Sequence, residues 1–155
     1  IELAVQNAVD YAVSQYQSVK GYVKSLGVQT PIHIGETGWA TVSETLYGPS
    51  GTQAADEYKQ ALYYQKMSEW TIKNGVSCFY FEAFDEPWKD APRPMGSENN
   101  FGLIDVEGTL KYALWEAFDS GDFKGLTRDD KPLKKSFDGD FKEMYKDVKI
   151  PNKIE

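Results

Sequence analysis

The sequence has little cysteine, little histidine and no excess of positive charge, and each of these features argues against a class of function. Cys78 is the only cysteine, so no disulfide can form within the chain. With a single histidine and no Cys or His pairs at the usual spacing, a structural zinc site is not predicted. The formal net charge of −7 argues against nucleic acid and against an anionic membrane surface as partners.

Two further absences concern cofactors and membranes. The sequence contains no glycine-rich loop that would bind phosphate and no apolar run long enough to span a bilayer, so we predict no cofactor, no metal and no membrane span. The chain begins with Ile1 and not with Met, as if it had been cut out of a longer protein. We therefore expect any signal peptide to lie upstream of Ile1.

What the sequence does have is length for one hydrophobic core and many aromatic rings. Its 155 residues include ten tyrosines and four tryptophans, and aromatic residues make up 14% of the chain. Flat rings with a polar edge suit both protein cores and surfaces that stack on sugar rings. The composition is therefore compatible with a neutral carbohydrate ligand.

Hydrophobic periodicity predicts two helices in the first half of the chain. The first extends over residues 2–26 and ends at Gly27; the second begins near Thr52 as N-cap and ends at residues 74–75. Their buried stripes are expected to comprise Val5, Val9, Ala12, Tyr16, Val19, Val23 and Leu26 in the first helix, and Ala54, Tyr58, Ala61, Leu62 and Ile72 in the second.

Two apolar runs predict strands that alternate with these helices. Residues 32–36 form a short run that ends in Glu36, and residues 76–84 (VSCFYFEAF) read as a strand buried on both faces. A short helix over residues 111–118 and a closing helix over 141–148 are expected to follow.

The order helix–strand–helix–strand–helix predicts an α/β fold with parallel strands and right-handed crossovers. A complete barrel of eight such units needs about 250 residues, so the chain is expected to be a single partial domain, the last part of a larger α/β domain. Residues 122–155, which are polar and rich in turns, are expected to form its closing C-terminal extension.

Acidic and aromatic residues follow both predicted strands, where parallel strands bring their ends to one rim. They are Glu36 and Trp39 after the first strand, and Asp85, Glu86, Trp88, Lys89 and Glu98 after the second. Carboxylates, a lysine and indoles suit glycoside cleavage. Ordinary surface charges with Trp88 capping the core are an equally acceptable interpretation. His33 alternates with two isoleucines and is expected to be buried and hydrogen-bonded.

Three segments resemble motifs of family 17 of the glycoside hydrolases, the β-1,3-glucanases and β-1,3-glucanosyltransferases. Residues 35–39 (GETGW) are similar to the family's GETGWP-type motif, with Ala40 in place of its proline. Residues 81–89 (FEAFDEPWK) resemble a segment of bacterial and fungal members, and residues 98–105 (ENNFGLID) resemble the stretch that follows it.

The resemblance implies a (β/α)8 barrel, of which this chain would be about the last two to three β/α units, and retaining hydrolysis of β-1,3-glucan. It implies Glu36 as the nucleophile, at the end of the seventh strand. The supporting catalytic residues would be Glu86, Lys89 and Glu98, and the substrate-binding residues Trp39, Glu82, Asp85 and Trp88.

The resemblance also implies that part of the site lies elsewhere. The family's general acid is a glutamate within an Asn-Glu pair after the fourth strand, and this sequence contains no Asn-Glu pair. We therefore expect the acid from the N-terminal half of the same barrel, on the same protein or a separate chain. A non-catalytic carbohydrate-binding half-barrel and a β-1,3-glucanosyltransferase are the alternatives, and the expected location is extracellular, periplasmic or on the cell surface.

Overall fold

The structure, a computed structural model, describes residues 1–44 and 53–151 and is built on two helix–strand units. Helix α1 extends over Glu2–Ser25, strand β1 over Ile34–Thr37, helix α2 over Glu57–Asn74 and strand β2 over Cys78–Tyr80. The two strands pair in parallel, which confirms the order and strand direction predicted from the sequence.

Helix α1 buries only the N-terminal part of its apolar stripe. Val5 and Val9 are buried against Tyr63 and Met67 of α2. Val19 and Leu26 are exposed, so the prediction of one continuous buried stripe was wrong for this end of the helix. Among the described residues, no segment packs over Val19 and Leu26 at the C-terminal end of α1. The helix ends at Ser25, two residues before Gly27, whose φ of +71° suits glycine.

Helix α2 buries a different face from the predicted one. Its N-cap is Asp56, whose carboxylate accepts a hydrogen bond from the Lys59 N–H. The predicted cap Thr52 lies outside the described residues, and the predicted start near it was wrong, because the helix begins at Glu57. Ile72 is 81% exposed, so the expected stripe was wrong. The buried residues are Lys59, Gln60, Tyr63, Met67 and Thr71. Two of these are long polar side chains whose burial is compensated by hydrogen bonds, and a pattern of apolar residues cannot reveal them.

The sheet of β1 and β2 has one covered and one open face. Ile34 pairs with Cys78 and Thr37 with Tyr80, with an irregular register between them. Tyr80 packs toward the helices, whereas Phe79 is 64% exposed. The prediction of a strand buried on both faces was therefore wrong, because among the described residues only the helix side of the sheet is covered.

The segment after β2 returns to the start of α2. A short turn of 3-10 helix over Tyr112–Leu114 leads into α3, Trp115–Ser120, and the closing helix is confirmed as α4, Phe141–Lys146. Strand β3, Thr109–Leu110, precedes the 3-10 turn and pairs in parallel with β6, Lys134–Lys135. Between α3 and α4 lie β6 and the hairpin of β4, Thr127–Arg128, and β5, Lys131–Pro132.

Three polar contacts hold this returning segment against α2. The Glu57 carboxylate accepts hydrogen bonds from the Ser136 hydroxyl at 2.6 Å and from the Tyr112 N–H at 2.8 Å. The fully buried Lys59 ammonium forms an ion pair with Asp56 and donates to the Lys149 carbonyl at 2.7 Å. Burial raises the pKa of Glu57, and the two hydrogen bonds oppose that rise.

Candidate active site

The exposed carboxylate of Glu36 lies near the C-terminal end of β1. It lines an open cleft of about 430 Å³ together with Tyr11 and Tyr16 of α1, His33 and Trp39. His33 is exposed, so the expectation of a buried imidazole was wrong. The remaining lining residues come from α1, from β1 and the residues that flank it, and from Tyr63 of α2.

The backbone beyond β1 passes very close to the backbone beyond β2. The Phe81 N–H donates to the Thr37 carbonyl at 2.7 Å. A Cβ placed on Gly38 would lie 1.7 Å from the Phe81 carbonyl oxygen, so only glycine fits here. This approach brings the segment that carries Glu36 beside the one that carries Glu82.

Gln60 of α2 holds the segment after β1 together with residues 101–102 of the loop that follows β2. Its side chain is completely buried, and its amide nitrogen lies 3.0 to 3.1 Å from the carbonyl oxygens of Trp39, Phe101 and Gly102. Thr37 is anchored separately by a 2.6 Å hydrogen bond between its hydroxyl and that of Tyr63. Both anchors come from α2 and were not recognised from the sequence.

Three charged residues follow β2 as one cluster. The carboxyls of Glu82 and Glu86 are within hydrogen-bonding reach of each other, and the Lys89 ammonium lies 3.2 Å from Glu86 Oε2. That ammonium also lies 3.9 Å from the centre of the Phe81 ring, a cation–π contact. Burial and then the neighbouring Glu86 raise the pKa of Glu82 to about 7, and Lys89 opposes the rise.

Asp85 points away from this cluster into a buried ion pair. Its Oδ1 accepts hydrogen bonds from the Lys111 ammonium at 2.7 Å and from the Gly102 N–H at 2.8 Å. The same ammonium donates to the Thr41 hydroxyl at 2.9 Å. Burial raises the pKa of Asp85, and the Lys111 charge opposes this. These contacts favour a structural role for Asp85 over the sugar contact predicted from the sequence.

Breaking this pair from one side is expected to destabilise the protein strongly. Lys111→Met leaves the buried Asp85 carboxylate with the Gly102 N–H but no cation, and unpairing a buried charge costs about 3–5 kcal/mol. Lys146→Met, which removes an exposed ion pair with Glu143, is expected to leave the free energy of unfolding unchanged. Urea denaturation of the whole protein measures both. Equal effects of the two substitutions would contradict the assigned role of Lys111.

The two tryptophans near the site differ in exposure. Trp39 packs against Tyr63 with ring centres 5.3 Å apart and donates its indole N–H to the Ala54 carbonyl at 3.0 Å. Trp88 is 67% exposed, so the alternative in which it caps the core was wrong. An exposed indole beside carboxylates is available for stacking on a sugar ring.

Glu98 lies in a short turn of 3-10 helix over Ser97–Asn99 and is exposed. The turn is held by the buried side chain of Asn99, which bonds the N–H and carbonyl of Asp90 and the carbonyl of Arg93. The residue before it, Ser97, lines a small cleft with Gly38 and Trp39. The residue directly before Glu98 therefore shares a cleft with Trp39.

In residues 1–44 and 53–151, no group of three His, Cys, Asp or Glu side chains could hold a metal ion. No helix in this part of the protein is long and apolar enough to cross a bilayer.

Comparison with known families gives a direct match. The sequence model described as "Glycosyl hydrolases family 17" matches residues 4–115. The chain belongs to this family. The family resemblance seen in the three motifs is thereby confirmed.

Similar proteins act on β-1,3-glucans by their names. A glucan 1,3-beta-glucosidase of Arthroderma benhamiae is 46% identical over 72 residues, which are 44% of this chain and 21% of that protein. The crystal structure of an endo-laminarinase from Formosa matches 99% of this chain and 40% of its own, with 50% identity and a TM-score of 0.92. An active-site mutant of a Rhizomucor miehei β-1,3-glucanosyltransferase in complex with laminaritriose matches 70% of this chain and 36% of its own, with 28% identity and a TM-score of 0.56.

Family 17 membership and these neighbours imply a (β/α)8 barrel, of which the chain covers a part. It spans about a fifth of the Arthroderma relative's length and two fifths of the Formosa enzyme's. The position of this part within the barrel and the roles of the individual site residues stay predictions.

Proposed function

We propose that the chain is the C-terminal part of a retaining glycoside hydrolase that cleaves β-1,3-glucan, with Glu36 as its nucleophile. The observation that carries the proposal is the exposed carboxylate of Glu36 near the C-terminal end of β1, beside the Glu82, Glu86 and Lys89 cluster that follows its parallel neighbour. In (β/α)8 barrels this end of the strands carries the active site.

The C-terminal position is supported by the path of the chain after β2. Instead of continuing into another strand of the β1–β2 sheet, the described residues turn back to the start of α2 through Tyr112, Ser136 and Lys149. This path suits the last unit of a barrel followed by a closing extension.

In the proposed reaction, a Glu36 carboxylate oxygen attacks the anomeric carbon of the glucosyl unit. The bond from that carbon to Glu36 forms, the bond to the glycosidic oxygen breaks, and the leaving oxygen takes a proton from a carboxylic acid. Water then attacks the same carbon, gives its proton to that carboxylate and releases Glu36. Two displacements at one carbon leave its configuration unchanged.

The remaining site residues would act on charge and binding. Glu86 and Lys89, which form an ion pair, and Glu98 on the neighbouring loop support the nucleophile and bind sugar hydroxyls. Trp88 offers an exposed face for a sugar ring, and Trp39 follows the nucleophile closely in the sequence. Glu82 lies beside Glu86 at the edge of the sugar site. Asp85 instead holds the loop after β2 in place through Lys111 and the Gly102 N–H.

The proton-donating acid is proposed to come from the N-terminal half of the same barrel. A retaining enzyme needs two carboxyl groups about 5–5.5 Å apart, and this chain has no residue that matches the family's acid. The surfaces left open here fit such a partner: the outer edge of β1, the exposed Phe79 on the sheet, and the exposed Val19 and Leu26 on α1. A polymeric glucan cannot cross a membrane, so an extracellular, periplasmic or cell-surface location is proposed as well.

A trapping experiment on the whole protein tests this function. The protein is expected to release reducing sugar from laminarin with retained anomeric configuration. A 2-deoxy-2-fluoro-glucoside with a good leaving group should accumulate as a covalent adduct, and peptide mass mapping should find it on Glu36. An adduct on another carboxylate, or inverted products, would overturn the assignment.

The same experiment separates the two alternatives. A glucanosyltransferase, favoured by the Rhizomucor neighbour, would form the same adduct but yield longer oligosaccharides from laminari-oligosaccharides. A non-catalytic half-barrel would bind laminarin without forming an adduct or releasing sugar.

A further inference from the structure

The cluster after β2 has two carboxyl groups for one cation. Glu82 and Glu86 are within hydrogen-bonding reach of each other, and Lys89 forms its ion pair with Glu86 at 3.2 Å. Lys89 is also held over the Phe81 ring. With both carboxyls ionised, the cluster carries one uncompensated negative charge.

The Glu82 carboxyl has one buried oxygen, Oε1, without a hydrogen-bond donor among the described residues. Two carboxylates cannot hydrogen-bond unless one of them is protonated. A single proton between Glu82 and Glu86 allows a hydrogen bond between the two carboxyls and removes the excess charge.

Other charged groups near Glu82 do not remove the need for that proton. Asp85 is compensated by Lys111 but still raises the pKa of Glu82 slightly, and burial is the largest cause of the rise. The charged residues that act on Glu82 are Glu86 and Asp85, which raise its pKa, and Lys89, which lowers it. The acidic neighbours therefore favour the protonated pair over the ionised one.

We infer that Glu82 and Glu86 share one proton and that Glu82 is a positioning residue, which holds Glu86 against Lys89 beside the nucleophile. This inference rests on the proposed function for its consequence, but the shared proton itself does not depend on it. As the pH rises through about 7, the proton leaves and a negative charge is added at the rim that carries Glu36. The two carboxylates then repel each other, and the hydrogen bond between them is lost.

The shared proton has a spectroscopic signature that needs no substrate. Infrared difference spectra of the whole protein, recorded about one pH unit on either side of the midpoint, should show loss of the carbonyl stretch of one protonated carboxyl. Glu82→Gln should abolish this change, because the amide donates to Glu86 at every pH. Glu86→Gln should abolish it too, and serves if the first variant does not fold. Glu116→Gln on the exposed face of α3 is the matched control and should retain it.

The pH profile supplies the functional readout. With an aryl glucoside, whose leaving group needs no protonation, Glu82→Gln should shift the alkaline fall of kcat/KM to higher pH. A signal that persists in both folded variants, or its absence from the unsubstituted protein, would overturn the inference. Failure of the proposed function looks different: the adduct with Glu36 would be missing while the infrared signal remained.

Discussion

Replacing Glu36 with glutamine is expected to lower the turnover of laminarin by the whole protein by about 10³- to 10⁶-fold, the range found when a covalent nucleophile is removed. Glutamine has nearly the shape of glutamate, so the β1 backbone and its pairing with β2 should not change. Its neutral amide cannot form the glycosyl–enzyme bond. Binding of laminari-oligosaccharides should therefore survive, and the loss should appear in kcat rather than in affinity.

The matched control for this substitution is Glu107→Gln. Glu107 is an exposed glutamate in the turn before β3, and removing its charge should leave turnover unchanged. Steady-state kinetics and titration calorimetry with laminari-oligosaccharides on both variants give the comparison. Near-normal kcat in Glu36→Gln would refute the nucleophile assignment, whereas equal loss of affinity and kcat would indicate damage to the site.

The sequence predicted the order of the elements because local patterns determine it. A 24-residue helix with Val5 and Val9 on one face and a glycine stop after α2 leave signals within a few residues. The face that α2 buries was not predictable in this way. It depends on Lys59 and Gln60, which are polar, and on partners such as Lys149 and Phe101 that lie far along the chain.

The residues of the candidate site likewise divide into those that local sequence predicted and those that depend on distant contacts. Glu36, Glu82, Glu86 and Lys89 were found because they occur in short motifs directly after strands. Lys111 was missed, since nothing near it in the sequence shows that it reaches Asp85, 26 residues earlier. A carboxylate in a motif can be identified from its neighbours, but whether it faces substrate or a buried cation depends on the fold.

The exposed end of α1 and the uncovered face of β2 show a third limit of prediction from the sequence. The sequence predicts that their apolar residues are buried. That prediction applies to a complete barrel, and this chain contains only part of one. The period of apolar residues predicts which face is covered in the folded protein; it does not say which segment covers it. Phe79 and Val19 are therefore expected to become buried in the whole protein.

Gly38→Ala is expected to destabilise the whole protein by about 3 kcal/mol or more, at the upper end for steric overpacking. The new methyl group would lie 1.7 Å from the Phe81 carbonyl oxygen and 2.9 Å from its carbon. Both neighbours are backbone atoms and cannot rotate away. The segments after β1 and β2 must separate, which weakens the hydrogen bond from the Phe81 N–H to the Thr37 carbonyl.

The same displacement should reduce activity in the molecules that still fold. Glu36 lies two residues before Gly38, and a shift of about 1 Å at a reacting group can cost about 10²-fold in rate. Gly21→Ala is the matched control: Gly21 lies on the exposed side of α1 with nothing within 4 Å of the new methyl group, so it should be neutral or stabilise the protein by about 0.5–1 kcal/mol. Urea denaturation and laminarin turnover measure both effects. If Gly38→Ala is as stable and active as Gly21→Ala, the close backbone approach does not position the nucleophile, and the link between the two motifs is lost.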